Sequence, residues 1–215
     1  MAKTSNWKDE YWLFIMQLYL RRPVGVKPVF SRDVVDVALE THVHPRILHN
    51  RLRRMAKLDT PRIERFWKQY ADKPKRLTRA VRLLRERAGY GNATEFYEGV
   101  ELNETFERDF RPLSEDSRFT PVAIILVLDL YFRLTPQTMV SETPEVQELA
   151  VLLHVTAADV VEVLDVLQHI DPYLNRREVL LTPLIGPCSD IWRRYGNADT
   201  NQLAQLADEL KEYYK

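Results

Sequence analysis

VVDVALETHVHPRILHNRL, residues 34–52, and VQELAVLLHVTAADVVEVL, residues 146–164, decide how this chain reads. They belong to a longer ungapped match of residues 17–59 on residues 129–171, at a constant offset of 112. Nine of its 43 positions are identical: Leu18/Leu130, Tyr19/Tyr131, Arg21/Arg133, Val34/Val146, Ala38/Ala150, His42/His154, Val43/Val155, Leu52/Leu164 and Asp59/Asp171. In each stretch the apolar residues recur at helical spacing on both sides of a histidine. Val37, Ala38, Leu48 and Leu52 therefore point inward, as do Ala150, Val160 and Val163. Thr156 and Asp159 have the spacing of a capping box at the start of a second helix. A shorter echo follows at an offset of 105, where Tyr90-Gly91-Asn92-Ala93 matches Tyr195-Gly196-Asn197-Ala198. So long a period suits a duplicated domain rather than a solenoid. The alternative is a chance alignment of two amphipathic helical stretches.

The rest of the sequence agrees with helices. Five pairs, Thr60-Pro61, Thr120-Pro121, Thr143-Pro144, Asp171-Pro172 and Thr182-Pro183, place a capping oxygen before a proline suited to the first helical turn. The reading is an all-α protein with helices near 7–21, 32–42, 45–57, 61–71 and 75–88. A second series is expected near 121–133, 144–153, 157–169, 172–181 and 187–195, with a last helix over about 199–214. Gly91 and Gly196 are expected to end equivalent units in the left-handed conformation, each followed by a capping asparagine. This gives two duplicated multi-helix units, 1–92 and 120–215, joined by an ordered connector over 93–119.

With 215 residues, 45% of them apolar, the chain can form a packed core. Its single cysteine, Cys188, excludes an internal disulfide and a cysteine-based zinc cluster and fits a reducing, cytoplasmic location. The opening stretch, Met1 to Tyr19, carries no small-residue cleavage site, so no secretory signal is expected. The most apolar run, Pro121 to Phe132, is interrupted by Asp129 and is shorter than the ~20 residues of a membrane span, so it reads as a buried helix.

A formal net charge of zero conceals a separation along the chain. Between Pro45 and Ala88 there are 15 Lys/Arg against four Asp/Glu. Between Glu95 and Asp165 there are four Arg against 15 Asp/Glu. A basic block of this kind binds nucleic acid or an acidic surface, and an acidic neighbour can dock on it within or between chains.

The repeated stretch resembles the helix-turn-helix class over about 20 residues in each copy. The resemblance implies two short helices meeting at a tight turn, the second entering the major groove of DNA. The copies depart from the class at the turn, where His42 and His154 replace the common glycine. Histidine tolerates the left-handed backbone better than most residues. In the first copy Arg46, His49, Asn50, Arg53 and Lys57 form a polar, basic stripe, with Arg54 beside it. Arginine and asparagine have the forked geometry that reads guanine and adenine edges. Lys57, Arg62, Arg65, Lys68 and then Lys73, Lys75, Arg76 and Arg79 are positioned to contact phosphates with salt-sensitive affinity. For any one of these cations the plainer reading is a solvated helix face. The matching helix of the second copy offers Asp159, Glu162 and Asp165, which phosphate would repel and a basic partner would attract.

Other chemistry is sparse. His42, His44 and His49 lie close together without a cysteine or carboxylate at metal-ligand spacing, so no metal or other cofactor is expected. Cys188 reads as a quiet thiol, and Trp7, Trp12, Trp67 and Trp192 as packing residues. No phosphate-binding loop, dinucleotide fingerprint, nucleophile elbow or zinc-protease signature occurs. The expectation is a non-enzymatic DNA-binding or nucleic-acid-associated protein. The alternative is a protein-interaction or self-assembling module that joins basic and acidic halves.

Overall fold

The structure, a computed structural model, describes residues 7–88, 105–174 and 180–215, and every regular element among them is a helix. The chain forms two compact units, Met1–Asn103 and Glu104–Lys215.

In the first unit a short 3-10 turn, Asp9–Tyr11, runs into α1 (Trp12–Leu20). Then come α2 (Arg32–Thr41), α3 (Pro45–Lys57), α4 (Pro61–Tyr70) and α5 (Pro74–Ala88). Helix α1 is the hub, and the other four pack on it. Its Phe14, Ile15, Met16 and Leu18 are all buried, as an all-round apolar helix in the middle of a bundle must be. The loop after α1 is held by Lys27, whose buried ammonium donates to the carbonyls of Arg21, at 2.8 Å, and Pro23.

The second unit contains α6 (Thr105–Asp109), α7 (Pro121–Arg133), α8 (Pro144–Leu153), α9 (Ala157–Ile170), α10 (Ile185–Tyr195) and α11 (Thr200–Lys211). Here α7 is the hub, buried from Pro121 through Tyr131 and covered by α8, α9, α10 and α11. The most apolar run of the sequence is thus the core of this unit. Asp129 within it is also buried, paired one turn on with Arg133 at 2.9 Å. Among the described residues no helix is long and apolar enough to cross a membrane.

Most helices lie where residue spacing placed them, within two residues at either end for α2 to α5 and α7 to α10. Helix α1 starts five residues after position 7, behind the 3-10 turn, and α11 stops three residues short of 214; three further details differ. Residues 172–174 form a turn and 180–184 are not helical, so a helix over 172–181 is not formed at its described ends, residues 175–179 lying outside the described ones. Tyr173, Leu174 and Leu181 are exposed, which removes the tertiary packing that stabilises a short helix. Gly196 is right-handed, with φ −62° and ψ −25°, not left-handed. A Cβ there would lie 2.7 Å from the Trp192 ring, so glycine serves close approach at this position. Asp199, not Asn197, caps α11, accepting from the Asn201 amide at 2.8 Å. The matching Tyr90-Gly91-Asn92-Ala93 lies outside the described residues.

The expected connector is divided. Residues 93–104 lie outside the described residues, whereas 105–119 fold onto the second unit. Asp109 of α6 accepts both arms of Arg194 in α10, at 2.7 and 2.6 Å, and Phe110 and Phe119 are buried.

Candidate nucleic-acid interface

The basic stripe begins at the turn between α2 and α3. Helix α2 ends because His42 takes the left-handed conformation, with φ 55° and ψ 33°. This lets the Val43 amide reach back to the Ala38 carbonyl at 3.1 Å, the bond that closes a Schellman-type terminus. Val43 then buries and the chain turns into α3, whose first turn is capped by the His44 imidazole. Its Nδ1 accepts from the Arg46 amide at 3.1 Å. Leu48, Leu52 and Met55, spaced four and three apart, are completely buried. The helical period therefore forces Arg46, Asn50, Arg53 and Lys57 outward, and all four are exposed. Helix α3 contains no acidic residue.

The cations of this unit fall into two sets. In one, arginines are held by carboxylates of the same unit: Arg54 by Asp59 at 2.7 Å, Arg62 by Asp9 at 2.8 Å, Arg85 by Glu40 at 2.6 Å, and Arg87 by Glu10. Arg51 is likewise occupied, its guanidinium 4.7 Å from the Trp7 ring centre and 5.7 Å from that of Trp12. Burial, followed by the charge of Arg54, lowers its pKa from the ordinary arginine value. The other set comprises Arg53, Lys57, Arg65, Lys73, Lys75 and Arg79, which are exposed and pair with no carboxylate among the described residues. Arg46 lies over the Phe30 ring and Arg76 over Tyr70, each 5.5 Å from the ring centre, with both side chains exposed. His49 is half-buried. Of the residues expected to meet nucleic acid, Arg54 and Arg62 are thus held by carboxylates. The Arg62 pair could not be read from spacing, because Asp9 lies far away in the chain, whereas Asp59 is only five residues from Arg54.

The matching segment of the second unit has a similar turn between its helices. Helices α8 and α9 start at the same offset of 112 from the starts of α2 and α3. His154 is left-handed, with φ 60° and ψ 36°, and the Val155 amide reaches the Ala150 carbonyl at 3.1 Å. The Thr156 and Asp159 capping box is formed, with bonds of 3.1 and 2.8 Å. The acidic face is largely engaged within the unit. Arg118 pairs with Asp159, with Glu162 at 3.0 Å and with Asp116 at 2.5 Å. The Thr156 hydroxyl and then Arg118 hold Asp159 below the usual carboxylate range, and Arg118 does the same for Asp116. Asp165 is exposed and accepts from Gln168 at 3.3 Å. Arg118 went unnoticed in the sequence because two of its three partners, Asp159 and Glu162, lie on α9, 41 and 44 residues further on.

Elsewhere the chemistry is quiet. Cys188 is wholly buried, and burial pushes its thiol up to about 12, which removes the reactive thiolate. No group of His, Cys, Asp and Glu among the described residues could hold a metal. A cleft of about 440 Å³ in the second unit is lined by Arg108, Arg193 and Arg194, each already paired with Asp190 or Asp109. No protein-family model, curated protein or solved structure matches the chain.

Proposed function

We propose that the chain is a duplicated pair of helix-turn-helix-like units and that the first binds DNA, without enzymatic activity, through the outward face of α3. The observation that carries this reading is that face itself. It presents Arg46, Asn50, Arg53 and Lys57 to solvent on the helix after a left-handed turn, where the helix-turn-helix arrangement puts its groove-reading side chains. Duplication draws support from the two turns, which share backbone angles and the closing hydrogen bond. The single cysteine, a free thiol, fits a reducing, cytoplasmic setting.

Self-assembly through opposite charges is the weaker reading. Two of the three acids it needs, Asp159 and Glu162, are already engaged in ion pairs with Arg118, which restricts their side chains while leaving net negative charge on the face.

The test is binding of the full chain to labelled duplexes and single strands by mobility shift at low salt. The triple reversal Arg46→Glu, Asn50→Asp, Arg53→Glu should weaken binding at least about 100-fold, since each good base contact contributes about 1–3 kcal/mol. An unchanged circular dichroism spectrum would show that the variant still folds. Absence of binding by the unaltered protein to every nucleic acid tried would overturn the reading.

A further inference from the structure

The outer face of α5 separates charge in a way that α3 does not explain. Leu77, Val81 and Leu84 are buried, and α5 packs on α1. Arg85 and Arg87, late in the helix, are consumed by Glu40 and Glu10. The first three turns behave differently. Lys75, Arg79 and Arg82, spaced four and three apart, line an open groove of about 400 Å³ with Pro74 and Thr78. Lys75 and Arg79 pair with no carboxylate among the described residues. Among the described residues Arg82 pairs with Glu86 alone, on the same helix, at 3.5 Å and with both side chains more than half exposed, a pairing of little energetic consequence. The Thr78 hydroxyl is turned back to the Pro74 carbonyl at 2.9 Å, so the groove presents cations rather than neutral donors.

A surface of one sign whose sole ion pair among the described residues is the long, exposed Arg82–Glu86 contact repels itself. A polyanion is the complement. We propose that this groove holds the phosphodiester backbone of the nucleic acid that α3 reads, as a second and separately removable contact. The inference rests on the preceding reading, and it assigns sequence-independent affinity to α5 while leaving base preference to α3. A lysine or arginine that neutralises a phosphate on duplex DNA releases counterions, giving a slope of about −0.9 per contact in log K against log salt.

The experiment compares the full-length protein with Lys75→Gln/Arg79→Gln/Arg82→Gln and with the α3 triple reversal. Fluorescence anisotropy is read on a labelled 20-base-pair duplex over a range of salt concentrations, with circular dichroism and a thermal melt as fold controls. The α5 variant should lose roughly 2–3 units of salt slope, about 0.9 for each of three contacts, with its ranking among duplexes of different sequence unchanged. Restoring charge as Lys75→Arg/Arg79→Lys/Arg82→Lys should restore the slope. Loss of binding in the α3 variant with an unchanged slope in the α5 variant would overturn this proposal and leave the α3 reading standing. A lower slope in the α5 variant with a silent α3 variant would support the groove and overturn the α3 reading. No binding by the unaltered protein would overturn both, and an altered sequence ranking in a folded α5 variant would overturn the assignment of α5 to the backbone.

Discussion

Position 51 in α3 holds an arginine laid against Trp7 and Trp12, whereas the matched position 163 in α9 holds a valine with no exposure at all. Three residues on, Arg54 bonds to Asp59, while Val166 is buried. The two helices share an origin point in the fold, a left-handed histidine before them and fully buried leucines at 52 and 164. They differ in what covers them. Helix α9 is covered by α7, α8 and α10, but α3 packs chiefly on α1 and α2. The lesson is that two helices that follow similar turns differ in exposure according to how many neighbours pack on them. With fewer neighbours, α3 can carry five cations and no acid. With α10 against it, α9 carries apolar side chains at these positions, and two of its three acids, Asp159 and Glu162, pair with Arg118 while Asp165 stays exposed.

The sharpest way to break this comparison is to exchange the residues. Val163→Arg puts a charge into a site without partners and should cost about 3–5 kcal/mol in chemical denaturation. Arg51→Val should change stability by less than about 1 kcal/mol, because its arginine is partly solvated and has tryptophan rings to trade for contact with valine. Equal effects would mean that the two helices are equally covered. Next in size are the caps. Thr156→Ala and His44→Ala should each cost about 1 kcal/mol, the former more because Asp159 also loses its partner in the capping box. A stability change near zero for His44→Ala would remove the imidazole from the cap.

The smallest effect concerns acid. Asp116 and Asp159 have folded pKa values depressed below the reference 3.8. Their contribution is therefore complete above that value and lost as pH falls through the folded values below it. Acidification below 3.8 should lower the thermal midpoint of the second unit. Arg118→Gln should blunt the part due to Asp116 more than the part due to Asp159, where the Thr156 hydroxyl is the larger influence. Because Arg118 is nearly half exposed, its removal near neutral pH should cost no more than about 1 kcal/mol. A midpoint that falls identically in both proteins would detach Arg118 from the effect.

Much of this was legible without coordinates. Helix α8 and the start of α7 follow from Thr-Pro pairs and the stretches behind them, and the Thr156 capping box follows from its spacing. The outward face of α3 follows from Leu48, Leu52 and Met55, since a helical period that buries three residues exposes those between. What could not be read depends on which side chains meet in space, whether the partner is near in the chain, as Asp59 is to Arg54, or remote, as Asp9 is from Arg62. Arg54 and Arg62 looked like Arg53 and Arg65 until Asp59 and Asp9 came beside them. Gly196 looked like a helix terminator, but its need for glycine comes from the Trp192 ring. The five Thr/Asp-Pro pairs looked alike too. Thr60, Thr120 and Thr143 begin helices, whereas the Asp171 carboxylate accepts from the Tyr131 hydroxyl at 2.6 Å and a turn follows.

Local periodicity and capping chemistry, which act over a few residues, determined by themselves that the chain is helical, where most helices begin, and which face of α3 turns outward. Tertiary structure decided which charges remain available and which are consumed, because an ion pair depends on distance in space, and 41 residues of chain separate Arg118 from Asp159 just as 45 separate Arg85 from Glu40.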